Sequence, residues 1–276
     1  MADAARSAPL TRIVLIGVTG RMGEAVLRVA PLLPQVMITG AVASAASLAL
    51  GRDAGEVAGV GAINLPVTSD LPQALGRADV AIDFSNAAAA RANLAACRAA
   101  GKPLLLGTTG HEAGFEAALT ATAREIALLV APNTSIAVAL LTELVRVSAR
   151  TLPASFDIDI LELHHRTKRD APSGTALALQ AAAIAVRGED AAQAAGAPTP
   201  GPRPEGQVRI SSLRAGDAVG EHTALFCGQG EELRLTHRAS DRAIFARGAL
   251  TAALWLASRR PGHYTMRDFI ADKTLP

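Results

Sequence analysis

The chain has 276 residues, more than one domain usually holds, so one large or two modest domains are possible and two is the starting expectation. Half of the residues are hydrophobic and 19% are charged, which excludes a disordered chain. A formal net charge of +2 and an aromatic content of 3% supply neither the field nor the stacking surface of a nucleic-acid binder, although a local basic cluster can still hold a small anion. Cys97 and Cys227 stand far apart and suggest neither a disulfide framework nor a Cys-based metal site; they read as buried or incidental thiols of a cytoplasmic protein. Met1 to Leu10 contains Asp3, Arg6 and Pro9 with no apolar run, so a frayed tail is expected rather than a signal peptide or membrane anchor.

In chain order, Arg12 to Gly17 (RIVLIG) is an apolar run rich in β-branched residues that meets glycines, and helical apolar spacing follows from Glu24 to Ala30: strand, tight turn, helix. Val36 to Val42 and Val80 to Phe84 are further strand candidates, with Ala-rich helical stretches between and after them. Leu104 to Leu106 and Ile126 to Val130 continue the series, so the first half reads as an α/β, doubly wound parallel sheet. The pattern changes after Pro132. A connecting helix is expected over Ile136 to Ala149, and Phe156 to His165 alternates apolar and polar residues as a half-buried strand does. Ser173 opens an Ala/Leu-rich helix, Ala191 to Gly206 reads as a Pro-rich surface loop, and strands are expected at Gln207 to Leu213, His222 to Cys227 and Glu232 to His237. A helix returns over Ile244 to Ser258.

Three loops follow strands in the first half. Gly17, Val18, Thr19, Gly20, Arg21, Met22 and Gly23 place three glycines between strand and helix, where backbone amides and the positive helix end can cradle a pyrophosphate; a plain tight turn is the alternative. Gly107, Thr108 and Thr109 lie at another strand end, as ligand contact or mere connection. Ala131, Pro132, Asn133 and Thr134 stand where the pattern changes, as hinge, cofactor contact or both.

The densest chemistry is at the end of the alternating strand: Glu162, His164, His165, Arg166, Lys168, Arg169 and Asp170, then Ser173, Gly174 and Thr175 at a helix start. Cations beside a helix N-terminus suit a dicarboxylate, and a histidine there can exchange protons near neutral pH. Adjacent strand residues face opposite ways, so His164 and His165 share a role only if the strand ends between them. A solvated charged turn is the bland alternative; a paired-His metal site ranks lower because no third ligand stands out, and no metal is expected.

The run E-L-H-H-R-T-K-R-D-A-P-S-G-T-A (Glu162 to Ala176) closely resembles the signature of the dihydrodipicolinate reductase family. G-V-T-G-R-M-G, V-A-I-D-F-S, L-G-T-T-G and R-A-G-D-A-V-G-E-H-T (Arg214 to Thr223) extend the resemblance in family order across nearly the whole chain. It implies a Rossmann-like dinucleotide domain (residues 1–134 and 241–276) and an α+β substrate-binding and tetramerisation domain (135–240), with the first domain closing on the second. It further implies hydride transfer from NADPH or NADH to a cyclic imine dicarboxylate, formed from the hydroxylated substrate by loss of water, giving tetrahydrodipicolinate for lysine and diaminopimelate synthesis. His164 matches the family's acid/base residue and Lys168 its second proton donor, while His165, Ser173, Gly174 and Thr175 match substrate contacts. Gly17 to Met22, Gly107 to Thr109 and Ala131 to Thr134 match cofactor segments. A cytoplasmic homotetramer acting on a small dicarboxylate, with no nucleic-acid or membrane partner, is the resulting expectation.

This chain departs from the family pattern at Thr134, where Phe is common, and at Ala137 and Ala139, where Gly and Asn are usual; a stiffer hinge is expected. No acidic residue lies between Val36 and Gly51, so nothing near Ser44, placed by the adenosine ribose, rejects a 2′-phosphate, and dual cofactor use with NADPH preferred is expected. Two rivals remain at this level. A different dinucleotide oxidoreductase, such as an amino-acid dehydrogenase, shares the first half but does not require Lys168 beside Ser173-Gly174-Thr175. A nucleotide-binding sensor on the same scaffold binds cofactor without turnover.

Overall fold

The computed structural model describes residues 10–188, 202–203 and 206–274. The expected tail before Leu10 and most of the expected loop at 191–206 lie outside the described residues. The chain divides into two compact units, one running to Ser135 and resuming at Ala243, the other spanning Ile136–Arg242.

In the first unit a seven-stranded sheet has the order β11-β6-β5-β4-β1-β2-β3, and every pairing in it is parallel. The strands are β1 (Thr11–Ile16), β2 (Val36–Val42), β3 (Val67–Thr68), β4 (Val80–Asp83), β5 (Leu104–Leu106), β6 (Ala127–Val130) and β11 (Gly262–Tyr264). Central strands covered on both faces need apolar residues throughout, and β1, β4 and β5 are buried along almost their whole length, with Ile13, Val14, Leu15, Val80 and Leu104 to Leu106 inaccessible. The covering helices are α1 (Arg21–Val29), α2 (Ala54–Ala58), α3 (Leu71–Leu75), α4 (Ala87–Ala99) and α5 (Phe115–Ala123), joined by α8 (Ala243–Leu256) and α9 (Met266–Thr274) from the end of the chain. Side-chain caps fix several starts: Asp53 for α2, Asp70 for α3 and Asn86 for α4 accept from first-turn amides. Two of the seven strands, β3 and β11, were not expected from the sequence; at two and three residues they are too short to show any periodicity.

The second unit carries a mixed sheet, β10-β9-β7-β8, of β7 (Asp157–His164), β8 (Val208–Arg214), β9 (Gly220–Gly228) and β10 (Glu231–Ala239). β7 runs parallel to β8 and antiparallel to β9, which pairs antiparallel with β10. Helices α6 (Ile136–Thr151) and α7 (Gly174–Arg187) cover one face, where Ile158, Ile160, Val208, Ile210, Ala224 and Phe226 pack against Leu141, Val145, Leu179 and Ala183. The alternation of β7 therefore reports a sheet with one covered face.

The turn from β1 into α1 is held by glycine. A Cβ on Gly23 would lie 2.4 Å from the Gly17 carbonyl oxygen and 2.6 Å from Val18 Cα, both backbone atoms that cannot rotate aside. Gly→Ala inside a helix ordinarily gains roughly 0.5–1 kcal/mol. Here overpacking, worth about 1–3 kcal/mol, opposes that gain. Gly23→Ala should therefore lower the denaturant midpoint; an unchanged or raised midpoint would show that the turn relaxes freely.

Candidate active site

Because all strands of the first sheet run the same way, the loops after β1, β2, β4, β5 and β6 emerge along one carboxyl edge. A pocket of about 440 Å³ opens there, lined by Gly17, Thr19 and Gly20 after β1, Ser44 after β2, and Phe84, Ser85 and Asn86 after β4. Gly17 has φ of 83°, and a Cβ on it would meet the Phe84 carbonyl at 2.6 Å. Gly20 caps α1 without any side-chain hydrogen bond, which leaves the first-turn amides of that helix to an incoming anion. These features fit a dinucleotide pyrophosphate.

The other expected cofactor residues do not line this pocket. Val18 is core, and Arg21 and Met22 begin α1 with Arg21 exposed. Gly107 lies against Phe84, whose ring a Cβ would strike at 2.3 Å, so the β5 loop reaches the pocket through that aromatic ring. Thr108 is buried and Thr109 exposed, and the Thr108 carbonyl pairs with His111 Nε2 at 3.0 Å. Ala131 is buried and Pro132 exposed, and the Asn133 side chain accepts from the Ser135 amide. Thr134 Oγ1 donates to the Phe245 carbonyl at 2.7 Å, tying the end of the β6 loop to α8.

Sequence reasoning assigned no site role to the β4 loop, although V-A-I-D-F-S carried part of the resemblance. Asp83, at its base, is fully buried. It accepts from the Ser85 amide at 2.8 Å and from Asn93 Nδ2 at 2.9 Å. Burial raises its pKa against those hydrogen bonds. The network fixes Ser85 and Asn93, which both line the pocket.

In the second unit the covered face of the sheet changes character toward the end of β7. Ile158 and Ile160 are followed on the same face by Glu162 and His164, and on β9 Phe226 and Ala224 are followed by His222, directly opposite Glu162. All three polar side chains are buried. Glu162 Oε1 accepts from Arg214 Nη2 at 2.8 Å and from the Ser173 amide at 3.2 Å, while Oε2 pairs with His164 Nδ1. Burial opposes ionisation of Glu162, yet the hydrogen bonds from Arg214 and Ser212 hold its pKa down at about 2. An ionised carboxylate only accepts, so the proton in the Glu162–His164 bond belongs to Nδ1. Burial lowers the His164 pKa, the Glu162 charge raises it, and the Lys168 and Arg214 charges lower it further.

β7 ends at His164, so His165 opens the following turn and is freed from the strand alternation. Its Nδ1 pairs with Thr167 Oγ1 at 2.8 Å. Lys168 Nζ donates to both Asp170 oxygens at 2.8 Å. Ser173 is the N-cap of α7: Oγ accepts from the Ala176 amide at 3.2 Å and pairs with His222 Nε2 at 3.0 Å. A Cβ on Gly174 would meet no atom within 4 Å, so the helix start is open on that side, with Thr175 next in the first turn.

The ground for ranking a metal site low does not hold. His222 supplies the missing third group, and the ligand atoms of Glu162, His164 and His222 lie within 4.8 Å of one another. The sequence concealed this because His222 is 58 positions beyond His164 and only strand pairing brings it near. In this structure the three side chains are engaged in hydrogen bonds with each other, Arg214 and Ser173, and they form a proton-bearing network.

Together these features define a Rossmann-like nucleotide-binding unit joined to a mixed-sheet unit with a buried acid–base cluster. The chain belongs to the dihydrodipicolinate reductase family: the family's N-terminal model matches residues 11–134 and its C-terminal model residues 137–270. It is 43% identical over 272 residues to the 4-hydroxy-tetrahydrodipicolinate reductase of Anaeromyxobacter dehalogenans, covering 95% of this chain and 98% of that one. The enzyme of the same name from Alkalilimnicola ehrlichii is 45% identical over 263 residues, covering 94% and 98%. Among solved structures, a dipicolinate-bound dihydrodipicolinate reductase from Paenisporosarcina sp. superposes with a TM-score of 0.74 at 20% identity, covering 93% of this chain and 97% of that one.

Burial holds the His222 pKa at about 4 against an ordinary 6.5, with the neighbouring His164 charge adding to the effect. The folded state thus binds fewer protons than the unfolded chain between those values, so this contribution to stability is complete above pH 6.5 and is lost as pH falls toward 4. Calorimetry should show a loss of about 1–2 kcal/mol from this group between pH 7 and 5. His222→Gln should flatten the decline. An equally steep decline in the variant would show that other groups, such as His164 and His237, carry it.

Proposed function

We propose that the chain is an NAD(P)H-dependent 4-hydroxy-tetrahydrodipicolinate reductase of lysine and diaminopimelate synthesis. The observation that carries the reading is the end of β7, where an acid–base histidine, a lysine and the start of α7 come together in the second unit, which we read as the substrate side. Residues 1–134 and 241–276 bind the dinucleotide, and residues 135–240 bind the dicarboxylate and assemble the oligomer. The cofactor is held by Gly17, Val18, Thr19, Gly20, Arg21 and Met22, with Ser44, Gly107 to Thr109 and Ala131 to Thr134 around the nicotinamide and ribose.

The substrate, after loss of water, is a conjugated cyclic imine with two carboxylates. Reduction adds one hydride and one proton. The reduced nicotinamide supplies the hydride. The chain supplies the proton and holds the charge. His165, Ser173, Gly174 and Thr175 bind the carboxylates through hydroxyls, backbone amides and the positive end of α7. Lys168 exchanges Asp170 for substrate and donates a proton, and His164 is the acid/base residue.

The sheet face turned away from α6 and α7 carries Leu161 and Leu213, 39% and 61% exposed, which supports assembly through that face into a homotetramer. We place the enzyme in the cytoplasm.

A coupled assay from aspartate semialdehyde and pyruvate through the preceding synthase, following NAD(P)H loss, tests the activity. General acid–base catalysis is worth roughly 10²–10⁴-fold, so His164→Gln and Lys168→Ala should each lower kcat by about that factor in a folded protein. Activity within twofold of wild type in both would refute the assignment.

Ser44 Oγ accepts from the Ala46 amide at 3.2 Å, which leaves its proton to donate outward to a 2′-phosphate. Arg21 and Arg52 are exposed cations at the start of α1 and beyond Ser44. One charge-assisted contact is worth roughly 1.5–3 kcal/mol, or about ten- to hundredfold in affinity. NADPH should therefore have the higher kcat/KM, with NADH still used, and Ser44→Asp should shift the ratio toward NADH. A wild-type preference for NADH would overturn the placement of Ser44.

A further inference from the structure

Glu162 is 1% exposed, lies between Arg214 and His164, and is given no part in the reaction above. We propose that Glu162 is a positioning residue that fixes His164 as the Nδ1–H tautomer, so that Nε2 is the nitrogen that exchanges protons with the substrate. This rests on the reading of His164 as the acid/base residue.

The groups facing His164 come from every element around it. Glu162 precedes it on β7, Arg214 is its register partner on β8, His222 stacks edge-on from β9 with ring centroids 5.0 Å apart, Lys168 follows in the loop, and Ser173 begins α7. Arg214 and the Ser173 amide engage one oxygen of Glu162, and the other is left to Nδ1. Because the hydrogen bonds from Arg214 and the Ser173 amide hold the carboxylate ionised, it offers no proton, and the imidazole must donate. Without that acceptor nothing in the cluster selects a tautomer.

Gly220 supplies an independent observation. Its φ is outside the left-handed region, so its backbone conformation does not demand glycine. A Cβ there would stand 3.0 Å from His164 Nε2 and 3.3 Å from Cδ2. One ring nitrogen is therefore tied to a carboxylate while the side chain that would crowd the other is missing. A histidine that only filled space would need neither.

Selective ¹⁵N-histidine labelling, with His164→Gln to assign the signal, reads the tautomer directly in the whole enzyme. Wild type should show His164 protonated at Nδ1 above its pKa, and Glu162→Ala, which removes the acceptor, should lose that preference. Glu162→Gln should also move the His164 limb of the kcat pH profile to lower pH, because the charge that raises the His164 pKa is gone. Its kcat should fall at least about tenfold, and Glu162→Asp, which keeps the charge, should retain more of the wild-type profile. An Nε2–H tautomer in wild type overturns the proposal, and that spectrum decides the matter even if Glu162→Gln does not fold. A folded Glu162→Gln with unchanged pH profile overturns it as well. If His164→Gln collapses activity while Glu162→Gln does not, the positioning role alone fails; full activity in His164→Gln removes the acid/base reading and the proposal with it.

Discussion

A carboxylate buried on a sheet face has to be neutralised, and the second unit is organised around meeting that demand for Glu162. Moving such a charge out of water costs several kcal/mol unless partners replace the lost hydration. Here β8 brings Arg214, α7 brings the Ser173 amide, and β7 itself brings His164. Each partner is fixed by an element with its own apolar reason to be there: the same face that holds Glu162 is packed with Ile158, Ile160, Ile210 and Phe226 a few residues back. The core thus sets the register, and the register sets the polar cluster. Arg214 then couples the cluster to the loop after β7 by donating to the Asp170 carbonyl at 2.7 Å.

The first unit satisfies a different constraint. A parallel sheet sends every βα loop to the same edge, so residues separated by up to 117 positions, from Gly17 to Thr134, line up without any of them being adjacent in sequence. What the local sequence must supply is backbone clearance. Gly17, Gly23 and Gly107 do so against named atoms of the Phe84 carbonyl, the Gly17 carbonyl and the Phe84 ring. The loops after β1 and β5 meet at Phe84, which explains why the β4 loop lines the same pocket.

Features written in short-range pattern were legible before the structure: the three glycines between β1 and α1, the period-two alternation of β7, and the run of cations ending at the Ser173 cap. What required the fold was pairing over distance. Arg214 and His222 lie in a run that carried the resemblance, but their place in the cluster appears only because β-strand pairing sets them opposite His164 and Glu162. Asp83 is similar: it stood within a strand candidate without a role, and its burial and its bond from Asn93 appear only in the fold. β3 and β11 escaped notice for a simpler reason: they are held by neighbours and carry too few residues to show a period.

Two histidines in edge contact within one buried cluster face a charge problem. At 5.0 Å, two imidazoliums would repel by about 3 kcal/mol at an effective dielectric of 20. The cluster resolves this through the partner each ring meets. His222 pairs with the Ser173 hydroxyl, which does not stabilise a positive charge as a carboxylate does, and its pKa sits at about 4. His164 pairs with an ionised carboxylate, which offsets part of its burial. A proton that enters the cluster therefore resides on His164, and His222 remains the neutral ring that holds the Ser173 cap in place. The division of labour between two chemically identical side chains follows from one difference, a carboxylate against a hydroxyl as hydrogen-bond partner.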